Sequence, residues 1–154
     1  MATRKARVPA IDGWFTMDEA APELLGSRCT ACGTYAFPRA TLGCANPACQ
    51  EAELEEVSLS RRGRIWSYTD ARYQPPAPYV AADPYEPFAL AAVELAAERM
   101  VVLGQLVPGT TVGDVTVGQE VELVLGTLYE DDEHEVLMWQ WRPVAAPAAP
   151  GGAP

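Results

Sequence analysis

The sequence predicts a mainly β chain in which a short N-terminal helix and a four-cysteine metal ribbon precede a five-stranded barrel. Three observations carry this expectation. Two cysteine pairs lie close together in the first third of the chain, alternation of apolar and polar residues sets in from Gly63, and no long helical stretch interrupts it.

In chain order, residues 1–12 are basic and contain Pro9, and 144–154 are almost wholly Pro, Ala and Gly, so both ends read as mobile tails. Residues 13–60 form the helix and ribbon. Thr16-Met17-Asp18-Glu19 has the spacing of a capping box, with a Thr hydroxyl on the amide of Glu19 and the Glu carboxylate reaching back. It predicts a short helix, which Pro22 limits to about a turn or two. Leu24 to Phe37 reads as a strand, a Cys-containing turn and a second strand, and the second cysteine pair falls within Gly43 to Gln50. Such a segment has few apolar residues to bury, so metal ligation has to supply its folding free energy.

Residues 61–143 alternate with period two between Gly and Pro punctuation, which predicts strands at about Arg64–Tyr73, Phe88–Ala96, Met100–Val107, Gln119–Tyr129 and Glu135–Arg142. In the fourth, Val121, Leu123 and Leu125 share a face. In the fifth, Leu137, Trp139 and Trp141 do, which makes both tryptophans core or barrel-wall residues. Five short strands without a long helix suggest a barrel of the OB type. Gln74 to Pro87 holds five prolines among Tyr73, Tyr79 and Tyr85 and reads as a long, stiff loop. Asp131 to Glu135 is the tip of the last hairpin.

Cys29-Thr30-Ala31-Cys32-Gly33 has the form of a knuckle: two thiolates two residues apart bite one ion, and the glycine tolerates the left-handed backbone of such a turn. Cys44 and Cys49 are more widely spaced but stay within the range of structural zinc sites. Four thiolates with no open position imply a structural ion, one per chain. Zinc is expected, and iron in a rubredoxin-like arrangement is the alternative.

Composition narrows the function. No stretch nears the roughly 18 apolar residues of a membrane span, and the start lacks a secretory signal's apolar run, so a soluble, cytoplasmic protein is expected. In that reducing compartment cysteines are metal ligands or thiols more often than disulfides. The net charge is −10, from 21 acidic and 11 basic residues, which disfavours broad contact with a phosphate backbone. No GxSxG, HExxH or phosphate-binding glycine loop occurs. The single histidine, His134, sits in an acidic hairpin tip and reads as a solvated turn residue, with a general base as the other reading.

The ribbon, the Gly63-Arg64-Ile65-Trp66-Ser67-Tyr68-Thr69 strand and the Val101-Val102-Leu103-Gly104-Gln105-Leu106 strand together resemble the zinc-ribbon and OB-fold family of acyl-CoA-associated proteins. The likeness covers roughly Gly13 to Pro143. It implies a non-catalytic accessory subunit that binds acyl-CoA, or helps a thiolase-fold partner bind it, in a hetero-oligomer that cleaves or forms carbon–carbon bonds. Family members partner lipid-transfer-protein thiolases, steroid side-chain aldolases and the benzoylsuccinyl-CoA thiolase. Cys29, Cys32, Cys44 and Cys49 stand where the family has its zinc ligands, although many members keep a second CxxC where this chain has Cys44 and Cys49.

Two further groups are candidates. Arg61, Arg62 and Arg64 meet CoA phosphates on one reading, and on the other are solvated charges balancing Glu51, Glu53, Glu55 and Glu56. Tyr73, Tyr79 and Tyr85 form a partner-docking surface, or else fold with their loop over the barrel mouth. A single-stranded nucleic-acid binder is the rival function, because OB barrels and zinc ribbons both occur there. Charge separates the two: we expect no binding to a single-stranded oligonucleotide at physiological salt in a fluorescence anisotropy titration, and micromolar, salt-dependent binding would favour the rival.

Overall fold

A strand that buries every second residue offers one face to a core, and five such strands bury those faces most fully by curling until first and last pair. The structure, a computed structural model, describes residues 4–51 and 53–145. Its strands are β1 (Ala6–Pro9), β2 (Leu25–Cys29), β3 (Tyr35–Ala36), β4 (Leu54–Ser58), β5 (Arg62–Ala71), β6 (Phe88–Leu95), β7 (Met100–Leu106), β8 (Glu120–Glu130) and β9 (His134–Pro143).

The last five close a barrel. β5 pairs antiparallel with β6, β6 with β7 and β8 with β9, while β7 meets β9 in parallel through Gln105–Gln140 and Leu106–Trp141. The circuit is completed by β8 against β5. Each of these strands begins and ends within two residues of the predicted bounds. Inside lie Ile65, Ala91, Val93, Leu95, Val121, Leu123 and Trp141, all essentially without solvent contact. A bulge between Ile65 and Ser67 leaves Trp66 facing outward, 61% exposed.

β2, with β3 on one side and β4 on the other, makes the three-stranded ribbon. Ribbon and barrel share one core. Phe15, Leu24 and Leu59 are buried in the same cluster as the barrel's inward residues. The link between them is held by Glu98 in the β6–β7 turn, whose Oε1 accepts from both the amide and the hydroxyl of Ser60 at 2.7 Å.

Two expectations need correction. The predicted helix at Thr16 is absent. Phe15 and Leu24 instead bridge antiparallel, and the Thr16 hydroxyl accepts from the Glu23 amide (3.0 Å) rather than that of Glu19. Burying Phe15 and Leu24 side by side outweighs a one-turn helix, which is too short to repay its nucleation. The only helical piece among the described residues is a 3-10 turn, Val112–Asp114, where Asp114 Oδ2 accepts from the amide and hydroxyl of Thr111 at 2.8 Å.

The tail expected over residues 1–12 is ordered at β1, which runs parallel to the first half of β9, from Ala6 beside His134 to Pro9 beside Leu137. That edge of β9 is open because β7 reaches only its second half. Arg7 on β1 pairs with Glu135 at 3.1 Å. Of the C-terminal tail, residues 146–154 lie outside the described residues. β4 was not foreseen, since its Glu55 and Glu56 disguise a ribbon edge strand as a polar linker.

Gly104 on β7 leaves room for the two tryptophans of β9. A Cβ there would lie 2.8 Å from the Trp141 ring and 3.0 Å from Trp139 Nε1. Gly104→Val is therefore expected to cost about 1–3 kcal/mol in urea denaturation. An unchanged midpoint would mean that the tryptophans have slack to move.

Candidate metal centre

The knuckle forms because residue 33 is glycine. Its φ is +76°, and its amide donates to the Cys29 carbonyl at 2.9 Å, turning the chain so that Cys32 faces back toward Cys29. The second loop reaches the same point by other means. Asn46 Oδ1 accepts from the Ala48 amide (3.0 Å) and the Asn46 carbonyl from the Cys49 amide (2.9 Å), which folds the four intervening residues into a tight turn. A Cys44 amide to Glu51 carbonyl bond of 3.2 Å closes its base.

All four sulfurs lie within 4.8 Å of one another. Cys29 and Cys49 are 3.9 Å apart and Cys32 and Cys44 3.4 Å, too far for a disulfide and close to the ~3.8 Å edge of a tetrahedron of Zn–S bonds. The donors are all thiols, so the set is closed and fits a structural zinc ion. Cys29 is buried at the end of β2, whereas Cys32 is exposed.

The sulfurs are unequal before metal enters. The Cys32 thiol is drawn down to about 6, first by its hydrogen bond with the Thr34 side chain at 3.1 Å and then by the Thr34 backbone. Cys44 has the Asn46 amide to lower it, yet desolvation and the neighbouring thiols Cys32, Cys29 and Cys49 push it up to about 12. Four adjacent sulfurs resist full ionisation until a cation sits among them, which couples metal binding to proton release. Thr34 and Asn46 escaped the sequence reading. Their positions, two residues beyond Cys32 and Cys44, were the available signal for groups that hydrogen-bond metal-ligating sulfur.

Comparison with known proteins agrees with this geometry. Residues 18–55 match the ChsH2 rubredoxin-like zinc ribbon domain and residues 56–126 the ChsH2 C-terminal OB-fold domain. The chain is a member of this DUF35 family. A DUF35 domain-containing scaffold protein of Methanocaldococcus jannaschii is 32% identical over 123 residues, covering 77% of this chain and 79% of that one. The benzoylsuccinyl-CoA thiolase subunit BbsA of Geobacter metallireducens is 32% identical over 130 residues, covering 83% and 80%. Among solved structures, the Ltp2-ChsH2(DUF35) aldolase superposes with a TM-score of 0.58 at 27% identity over 79% of this chain and 84% of that one. The four cysteines are thus the zinc ligands of a DUF35 ribbon.

The other candidates are brought together only in part. Arg61 Nε donates to the Pro22 carbonyl (2.9 Å), Arg62 pairs with Glu120 (3.1 Å) and Glu122 (3.7 Å), and Arg64 donates to the Gly118 carbonyl (3.1 Å). Tyr79 stacks on Phe88 at 5.7 Å and the Tyr85 hydroxyl donates to the Ala71 carbonyl, so both fasten their loop; Tyr73 alone stands free, 91% exposed. His134 lies 3.3 Å from Asp131 in the hairpin turn. Among the described residues no helix is long and apolar enough to cross a membrane.

Native mass spectrometry is expected to find one zinc per chain, and Cys29→Ser to abolish stoichiometric binding and melt the ribbon. Two disulfides in unreduced protein, or metal-free protein with an intact ribbon, would contradict the assignment.

Proposed function

We propose that the chain is a non-catalytic, zinc-containing subunit that binds an acyl-CoA and partners a thiolase-fold enzyme acting on its carbon–carbon bonds, by thiolysis or retro-aldol cleavage. One observation carries this reading. The four thiols converge on a closed metal site and the one histidine is tied into a surface turn, so the groups that would act as nucleophile or base are committed to structure. The names of its relatives supply the chemistry. One is a subunit of a benzoylsuccinyl-CoA thiolase and another is part of an aldolase assembled from two proteins.

Within this reading Arg62 and Arg64 are the phosphate contacts. They flank one shallow depression with Gly63 and Ala96 that Glu94 and Glu120 also line; Arg62 is paired with Glu120, while Arg64 makes no salt bridge among the described residues. Arg61, held by the Pro22 carbonyl, is a strut between ribbon and barrel. Tyr73 is the partner contact, being an exposed aromatic at the start of a proline-stiffened loop.

Co-expression with a thiolase-fold subunit tests the proposal. The pair is expected to co-purify and to turn over a bulky acyl-CoA, and neither chain alone to do so. Arg64→Ala is expected to raise KM without dissociating the pair, by about 1.5–3 kcal/mol for a lost charge-assisted contact. Tyr73→Ala is expected to weaken assembly and leave zinc content unchanged. Turnover by this chain alone, or full activity of the partner without it, would refute the accessory role.

A further inference from the structure

At one mouth of the barrel, between the loop that carries Tyr79 and the turn after β7, lies an open cavity of about 440 Å³. Its size falls in the range of small-molecule sites. Its walls are apolar at Phe88, Leu106 and Val107, and polar at Gln105, Thr127 and Gln140. No Lys, Arg or His lines it. Of its two acids, Asp70 is bound to Arg72 at 2.7 Å and Glu86 is an exposed rim residue.

Gln140 is the unusual member. It is 3% exposed, yet no hydrogen bond among the described residues involves its side chain, and it borders the cavity. Its carboxamide atoms keep a sliver of solvent contact through the open cavity, so a ligand there meets a donor and an acceptor that no protein group uses. Beneath it lies Gly126 on β8, where a Cβ would collide with the carboxamide, so only glycine leaves the group its place. Gln105 is its register partner across the parallel β7–β9 pair, which sets two carboxamides side by side on one wall.

We infer that this cavity binds the uncharged pantetheine arm of an acyl-CoA, its two amides meeting Gln140 and Gln105 and its methylene segments the apolar wall. The inference rests on the acyl-CoA reading above. Without a cation in its lining the cavity disfavours the nucleotide end of the molecule. An arm carrying amides and a hydroxyl between apolar segments matches both kinds of wall.

The test titrates the full-length, zinc-loaded chain with free pantetheine and, separately, with adenosine 3′,5′-bisphosphate, following side-chain amide resonances by NMR. Millimolar pantetheine is expected to shift the Gln140 and Gln105 signals saturably, and the nucleotide to leave them in place. Gln140→Leu removes the amide, and Gly126→Ala displaces it without touching the lining's chemistry. Each is expected to weaken binding about tenfold or more with zinc content and backbone spectrum retained. Unmoved Gln140 and Gln105 signals, shifts driven by the nucleotide alone, or unaltered affinity in a folded variant would overturn the assignment. If pantetheine does not bind but the chain still assembles with its thiolase-fold partner and is required for activity, the cavity assignment falls and the accessory-subunit reading stands. Binding without assembly would do the reverse.

Discussion

Trp139 is the contact on which the arrangement of the whole chain depends. It lies on β9, the strand that closes the barrel, and its ring meets Trp14 at 6.2 Å, Phe15 at 5.7 Å and Phe37 at 5.6 Å. Trp14 and Phe15 belong to the segment before the ribbon, and Phe37 follows the ribbon's β3. One indole therefore joins three parts of the chain that are distant in sequence. Its Nε1 donates to the Leu103 carbonyl at 3.1 Å, which fixes the ring's direction and satisfies a polar atom that burial would otherwise penalise.

The zinc site works through this contact. Three short strands bury too little to hold their own shape, so Phe37 is presented to Trp139 only while the thiolates keep the ribbon folded. In the other direction, the barrel braces the ribbon through Glu98 on Ser60 and through the backbone bond from the Leu59 amide to the Leu24 carbonyl at 2.9 Å. Ribbon and barrel match separate family models, yet they share one core and depend on each other for it.

Whatever in this fold follows from local chemistry was legible in the sequence. Period-two alternation located all five barrel strands, because each has one buried and one solvated face. The cysteine spacing with Gly33 located the metal, because a knuckle is specified within five residues. The capping box at Thr16 misled for the opposite reason. Its residues were right for a helix, but the outcome was decided by Phe15 and Leu24 reaching a core built mostly from residues far along the chain. β1 escaped for a similar cause, since its partner is the free half of β9's edge, more than a hundred residues away.

Adjacency in sequence was the weakest guide to shared placement. Arg61, Arg62 and Arg64 read as one cluster, but a strand sends neighbouring side chains to opposite faces, so Arg61 parts from Arg62 and Arg64, which share one face and make different contacts. The first reaches back to Pro22, the second turns to the acids of β8, and the third reaches the turn ending at Gly118. Tyr73, Tyr79 and Tyr85 read as a docking surface or as part of a loop folded over the barrel mouth, and the structure fastens Tyr79 on Phe88 and Tyr85 on the Ala71 carbonyl while Tyr73 stands in solvent. The converse holds for Gln105, Gly126 and Gln140. No motif joins them, and the barrel's closure alone brings two carboxamides and a missing side chain to one wall. A site assembled by topology leaves no spacing to read, so it comes into view only once the register of β7, β8 and β9 is known.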